Sequence, residues 1–251
     1  MLTLQDKNII ITGASSGIGK ECAILASKIG ARVILIARNK EKLETTLSSM
    51  SGKGHIFLAN DVTDYEKLKN GLSEIIETDF KCINGIVHCA GREMTKPFFL
   101  TKAENFRELL EVHLIAGLEL IRFCSKKDYV PEEGASYVFI SSIMAELGSA
   151  GLSSYCASKS AITSTVKALA LELASKKVRI NSVEPGYVMT DLLKKTFSKM
   201  NSEEIEVIKK QHPLGLGTPN QVANVVCFLL SDLSSWITGT NIVVDGGYSA
   251  H

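Results

Sequence analysis

Seven short runs rich in β-branched and apolar residues recur along the chain of 251 residues, at 8–12, 32–36, 55–58, 83–88, 136–141, 179–183 and 241–244. They do not alternate apolar with polar, which is how strands covered on both faces read. Helix-length segments separate most of them, for example 18–29, 40–49 and 65–77. Such a strand–helix series predicts an α/β fold, a doubly wound and mostly parallel sheet with helices on both faces. No internal repeat, low-complexity tract or Pro/Gly-rich linker interrupts it, so residues 1–251 are expected to form one domain.

The first strand-to-helix turn reads Thr12-Gly13-Ala14-Ser15-Ser16-Gly17-Ile18-Gly19. Glycines let a backbone turn tightly and approach a pyrophosphate, which then rests on the amides of a helix N-terminus. The spacing is neither Gly-x-Gly-x-x-Gly nor a Walker loop. Its place after the first strand still makes it a candidate dinucleotide site. The second strand ends in Ala37-Arg38-Asn39, with no acid before Glu41. A carboxylate there would accept ribose hydroxyls, whereas a guanidinium suits a 2′-phosphate in charge and fork geometry. Arg38 is either a solvated surface arginine or that phosphate partner. With the glycine turn upstream the second is favoured, hence NADP(H) over NAD(H).

Asp61 and Val62 follow the third strand, where the aspartate could meet an adenine amino group or cap the helix after it. The fourth strand runs into His88-Cys89-Ala90-Gly91, small residues suited to close passage of a cofactor. In the helix expected over 106–125, His113 sits among apolar neighbours and on its own reads as a core residue.

Ser142 stands at the end of the fifth apolar run, and Tyr155 and Lys159 lie four apart in a segment of helical spacing over 153–175. Four residues put both side chains on one helix face, a turn apart. An ammonium there is expected to lower a phenol from its usual pKa of about 10. The phenol could then exchange a proton with a substrate oxygen that the Ser142 hydroxyl also holds. Tyr-x-x-x-Lys by itself is common on amphipathic helices, so the reading depends on the other motifs.

Past that helix, Pro185-Gly186-Tyr187-Val188-Met189-Thr190 makes a sharp turn. Pro185 lacks a donor, and the chain is expected to leave the sheet there. A lysine-rich stretch with helical spacing, about 190–217, suits a flap over the sheet's carboxyl edge, although a solvated helix pair would look the same.

The charge balance, 28 basic against 27 acidic residues, argues against nucleic acid or an anionic membrane as the main partner. The N-terminal segment lacks the regions of a secretory signal, and no apolar stretch approaches the roughly 20 residues that span a bilayer. Six cysteines form no Cys-x-x-Cys pair and fit free thiols in the cytoplasm. No metal-ligand spacing is evident among the five histidines.

Taken in order, the Thr12–Gly19 turn, Asp61, Ala90-Gly91, Ser142, Tyr155-x-x-x-Lys159, Asn181, Pro185-Gly186 with Thr190, and the ending Gly239 to Gly247 resemble the short-chain dehydrogenase/reductase family over nearly the whole chain. The resemblance implies a Rossmann-type sheet of seven strands in order 3-2-1-4-5-6-7 that binds NAD(P)(H). It implies that Tyr155 gives or takes the proton, that Ser142 positions the substrate oxygen, and that Lys159 holds the nicotinamide ribose. Pro185, Gly186 and Thr190 would meet the nicotinamide end, with the backbone of Val188 facing its carboxamide. Two positions depart from the pattern. His88-Cys89 replaces the family's Asn-Asn, and His113 stands where the family has an asparagine in a proton relay.

Within the family the closest likeness is to 3-oxoacyl-(acyl-carrier-protein) reductases, with Lys176 at the place of a basic residue that meets the acidic carrier and Glu132-Glu133 where a second basic residue would be. Sugar, polyol and other ketone reductases share the scaffold. A dinucleotide-binding sensor or scaffold without turnover is the alternative of another class. A homo-tetramer, or a dimer, is expected, pairing the helices over 106–125 and 153–175 on one axis and the ending 246–251 on another.

Overall fold

The structure, a computed structural model, describes residues 1–126 and 128–250. The strands are β1 (Asn8–Thr12), β2 (Arg32–Ala37), β3 (Ile56–Ala59), β4 (Gly85–His88), β5 (Ala135–Ile140), β6 (Val178–Pro185) and β7 (Asn241–Val244). They form one sheet in the order β3-β2-β1-β4-β5-β6-β7, every pair parallel. The helices are α1 (Gly17–Lys28), α2 (Lys40–Ser48), α3 (Tyr65–Ile75), α4 (Ala103–Leu110), α5 (Ala116–Cys124), α6 (Ser153–Leu173), α7 (Asp191–Phe197), α8 (Ser202–Lys210) and α9 (Pro219–Leu230).

The apolar runs are buried on both faces because the alternate side chains of each strand enter different cores. Ile10, Ile34, Ile36, Ile86 and Phe139 pack with α3, α5 and α6 on one side. Ile9, Ile11, Leu35, Val87 and Val138 pack with α1 and α9 on the other. Burying each such side chain fully is worth roughly 1.5–3 kcal/mol, which explains why no polar alternation survives in the runs.

One departure from the sequence reading concerns a turn. α4 and α5 are one continuous helix whose middle, Glu111–Ile115, is a π-turn. Pro185 is where the chain leaves the sheet, as the sequence suggests. It is the last residue of β6, in register with Val244, and the Gly186 amide donates to the Val244 carbonyl at 3.1 Å. Successive amides of a strand point to opposite neighbours, and β5 ends at Ile140, opposite Val183. The missing N–H of Pro185 therefore faces a side where no strand remains to need it.

After Pro185 the chain leaves and returns at one place. Val188 pairs with Gly217 in a β-bridge, the Met189 amide donates to the Gly217 carbonyl at 2.8 Å, and the Gly217 amide donates to the Tyr187 carbonyl at 2.9 Å. The excursion between these points carries α7 and α8.

Candidate functional site

The carboxyl ends of β1, β4, β5 and β6 meet at one edge, where the glycine turn, the Ser142 loop and the start of the excursion converge. Gly13 (φ +66°) and Gly17 (φ +54°) occupy backbone conformations that other residues rarely adopt. A Cβ on Gly13 would lie 2.8 Å from the Cys89 carbonyl oxygen, and one on Gly17 would lie 3.2 Å from the Thr190 methyl group. A cavity of about 360 Å³ opens beside this turn, lined among others by Ser15, Ser16, Lys20, Lys42 and Thr190. Thr190 caps α7 by accepting from the Leu193 amide at 3.3 Å. Backbone amides at the start of α1, a polar cavity and lysines along it fit a pyrophosphate group.

Other expected cofactor residues fall around this cradle. Ile18 packs partly buried against the core shared with α1 and α9, and the Val62 side chain is buried in the core on the other face, leaving only its backbone to face a ligand. Asp61 does not cap the helix after it; Asp64 does, accepting from the Lys67 amide at 3.4 Å. Asp61 Oδ1 instead accepts from the amide and hydroxyl of Thr63, which together with Arg38 hold its carboxyl below the usual range against the opposing effect of burial. Arg38 Nη1 lies 3.8 Å from Asp61 Oδ2, and its side chain is 80% exposed.

Ser142, Tyr155 and Lys159 come together at the opposite side of the edge. The Ser142 hydroxyl oxygen accepts from the Met144 amide at 3.2 Å, leaving its proton free to be donated. Lys159 is buried, and its Nζ donates to the Ile140 carbonyl at 2.8 Å, 5.6 Å from the centre of the Tyr155 ring. The Ser141 hydroxyl donates to the Lys159 carbonyl at 3.1 Å. The end of β5 and the first turns of α6 are thus held to each other by two bonds.

The expected lowering of the phenol pKa is not what the chain produces. Desolvation pushes Tyr155 up to about 12; the nearby Ser142 hydroxyl opposes the rise, and Glu93 adds to it. Desolvation also pushes Lys159 down to about 8, its ammonium facing a carbonyl rather than the phenol oxygen.

Two groups escaped the sequence reading. The Thr12 hydroxyl accepts from the amides of Cys89 and Ala90, both at 3.1 Å, and bonds His88 Nδ1 at 3.1 Å. His88 Nε2 donates to the Val112 carbonyl at 3.0 Å. These bonds brace the end of β1 against β4, the loop after it and the helix segment at Val112. Their signal was present as two polar residues, Thr12 and His88, each ending an apolar run; the structure places them opposite each other. Ser158 is the other, and it bonds His113.

Residues 13–249 match the family model described as "Enoyl-(Acyl carrier protein) reductase". The chain is 34% identical over 248 residues to the 3-oxoacyl-[acyl-carrier-protein] reductase FabG of Rickettsia conorii, covering 98% of each. Among solved structures it is similar to a short-chain type dehydrogenase/reductase from Mycobacterium ulcerans, with TM-score 0.90, 30% identity, and 98% and 91% of the two chains covered. It is also similar to a 7α-hydroxysteroid dehydrogenase complexed with NADH and 7-oxo glycochenodeoxycholic acid, with TM-score 0.91, 29% identity, and 98% and 95% covered. Fold and glycine turn define a nicotinamide-dinucleotide oxidoreductase. The chain belongs to the short-chain dehydrogenase/reductase family, and its reductase and dehydrogenase relatives support an enzyme that acts on CH–OH with NAD(P).

Proposed function

We propose that this chain is an NADPH-dependent ketoreductase in which Tyr155 gives the proton that completes a secondary alcohol, or takes it in reverse. The observation that carries this reading is the gathering of Ser142, Tyr155 and Lys159 at the sheet edge that bears the glycine turn, with Lys159 Nζ 5.6 Å from the centre of the phenol ring. A reduced nicotinamide, when bound, supplies the hydride. The free proton of Ser142 is donated to the substrate oxygen, and Tyr155 shares that oxygen as general acid. Lys159, with a pKa of about 8, carries a proton close to neutrality and places that charge beside the phenol ring. NADPH is favoured over NADH because Arg38 is exposed at the end of β2 while Lys20 and Lys42 line the cavity beside the turn.

A 3-oxoacyl thioester is the substrate class suggested by the relatives' names. Docking of an acidic carrier gets no support from Lys176, whose Nζ donates to the Ser125 carbonyl at the end of α5 at 2.8 Å. Sugars, polyols or other small ketones are the alternative substrates. We read the chain as one domain with the excursion at about 190–217 as its substrate flap. We also read it as a homo-tetramer or dimer, since Leu171 on α6 is 82% exposed and Ile115 is 39% exposed. Of the expected pairing segment 246–251, His251 lies outside the described residues. Sedimentation as a monomer at micromolar concentration would exclude the assembly.

The test of the activity is loss of NADPH absorbance against β-keto thioesters, diketones and keto-sugars. Tyr155→Phe is expected to lower kcat by a factor of about 10² or more while NADPH still binds. A fully active phenylalanine variant removes Tyr155 as the acid. Binding of NADPH without turnover of any ketone points instead to a sensor or scaffold.

A further inference from the structure

His113 stands where the family's asparagine serves a proton relay, but both of its ring nitrogens are already engaged. The Arg92 amide donates to Nε2 at 3.0 Å. A backbone amide can only donate, so Nε2 is the bare nitrogen and Nδ1 carries the proton. Nδ1 then donates to the Ser158 hydroxyl at 2.8 Å, and that hydroxyl donates to the Tyr155 carbonyl at 2.7 Å. The imidazole also meets the phenol ring edge-on, with centroids 5.6 Å apart and planes at 87°.

The ring is 1% exposed. A Cβ on Gly91 would lie 2.9 Å from its Cδ2 and Nε2, so the loop after β4 can pass only as glycine. The base of the ring is fixed as well: the carbonyl of the preceding residue, Val112, takes the hydrogen bond from His88.

Resting on the reading of Tyr155 as the acid, we propose that His113 is a positioning residue, a permanently neutral strut between the loop after β4 and the helix that carries the phenol, and not a carrier of the reaction's proton. The titratable or charged groups around it are Lys159, His88, Arg92 and Tyr155. Burial above all, and then the charges of Lys159, His88 and Arg92, oppose an imidazolium, bringing His113 down to about 2 against a smaller opposite effect of the Arg92 backbone. A proton taken up by Nε2 would also break the bond from the Arg92 amide, because two donors would then face each other. The widened turn is what the strut requires. A π-turn inserted in a helix shifts the side chains after it and is frequent at functional sites; here it carries His113 between the two elements it joins.

His113→Leu keeps the apolar bulk but makes neither bond, while His113→Gln offers one acceptor and one donor. The leucine variant is expected to lose kcat on the order of ten- to a hundredfold, as a slightly misplaced acid does. Its KM for NADPH and the apparent pKa values of its kcat–pH profile should stay those of the parent, and the glutamine variant should recover much of the loss. A limb of the pH profile that vanishes with the imidazole would overturn the proposal and make His113 part of the relay. Undiminished kcat in His113→Leu would overturn it too. Turnover is not needed for a second measurement. In 15N-histidine-labelled protein the His113 ring should keep the neutral Nδ1–H signature from about pH 5 to 8, where a free histidine titrates. An imidazolium signal in that range would refute the strut, whereas failure to reduce any ketone beside an intact Nδ1–H signature would refute only the reductase reading.

Discussion

Glu184 lies on β6, two residues before the turn into the site, fully buried and with neither carboxylate oxygen bonded among the described residues. Burial, reinforced by Glu146 and opposed by Lys167, pushes its carboxyl up to about 7. Between the ordinary carboxylate value and that one, the folded chain holds a proton that the unfolded chain has released. Stability must therefore fall as pH rises through this window and remain lower above it. Glu184→Gln should melt like the parent near pH 4 and higher by on the order of a few degrees at pH 8. Parallel melting curves from pH 5 to 8 would show that the carboxylate finds partners. The same contrast marks what the sequence made legible at this scale. Ser142, Tyr155 and Lys159 could be read from type and spacing, since one helix fixes the face of two of them. The raised phenol, the lysine bonded to Ile140 and the hydrogen-bond chain through His88 depend on neighbours distant along the chain, and spacing carries no information about those.

Elements were legible where one period ran unbroken and illegible where it changed. The segment over 103–124 looks helical throughout, yet its π-turn alters which side chains share a face, and no residue type announces that. The flap is a further case. Its two helices were suggested by spacing, but their anchor is an aromatic cluster far apart in sequence. His212 stacks on Tyr248 at 4.7 Å, and Tyr187 meets both edge-on at 5.5 and 5.8 Å. The Leu214 amide donates to the Gly246 carbonyl at 3.0 Å. The tail after β7 thereby holds the far end of the flap beside Tyr187, next to the Pro-Gly turn. Tyr248→Ala removes two aromatic pairs, each worth about 0.5–1.5 kcal/mol. We expect faster tryptic cleavage between residues 190 and 217, at the lysines of α7 and α8, and a KM for the ketone raised more than kcat is lowered. Unchanged cleavage would mean that the bridge from Val188 to Gly217 holds the flap without the tail.

At the scale of the molecule, strand count and class followed from the apolar runs, and the strand order from the family likeness. Parallel strands buried on both faces leave the strand ends on one edge as the place where loops can build a site. That edge joins a polar cradle at the glycine turn to the Tyr155 cluster across the carboxyl ends of β1, β4, β5 and β6, so a dinucleotide bound along it would link elements from both halves of the chain. Binding to the folded state alone must then stabilise the whole fold. At about a hundredfold its Kd, a cofactor adds roughly 2.7 kcal/mol, which for a chain of this size is a rise in Tm of roughly 5–10 °C. If Arg38 meets a 2′-phosphate, NADPH should reach that rise at a lower concentration than NADH. Arg38→Asp should reverse the order, because a carboxylate repels the phosphate and accepts from ribose hydroxyls instead. Asp61, 3.8 Å from the guanidinium, would face a second carboxylate in that variant, so its cofactor-free Tm must serve as the baseline. Protein concentration must be held constant, since assembly also moves Tm by mass action. Equal shifts with the two cofactors in the parent chain, or an order unchanged by Arg38→Asp, would take the choice of cofactor away from Arg38.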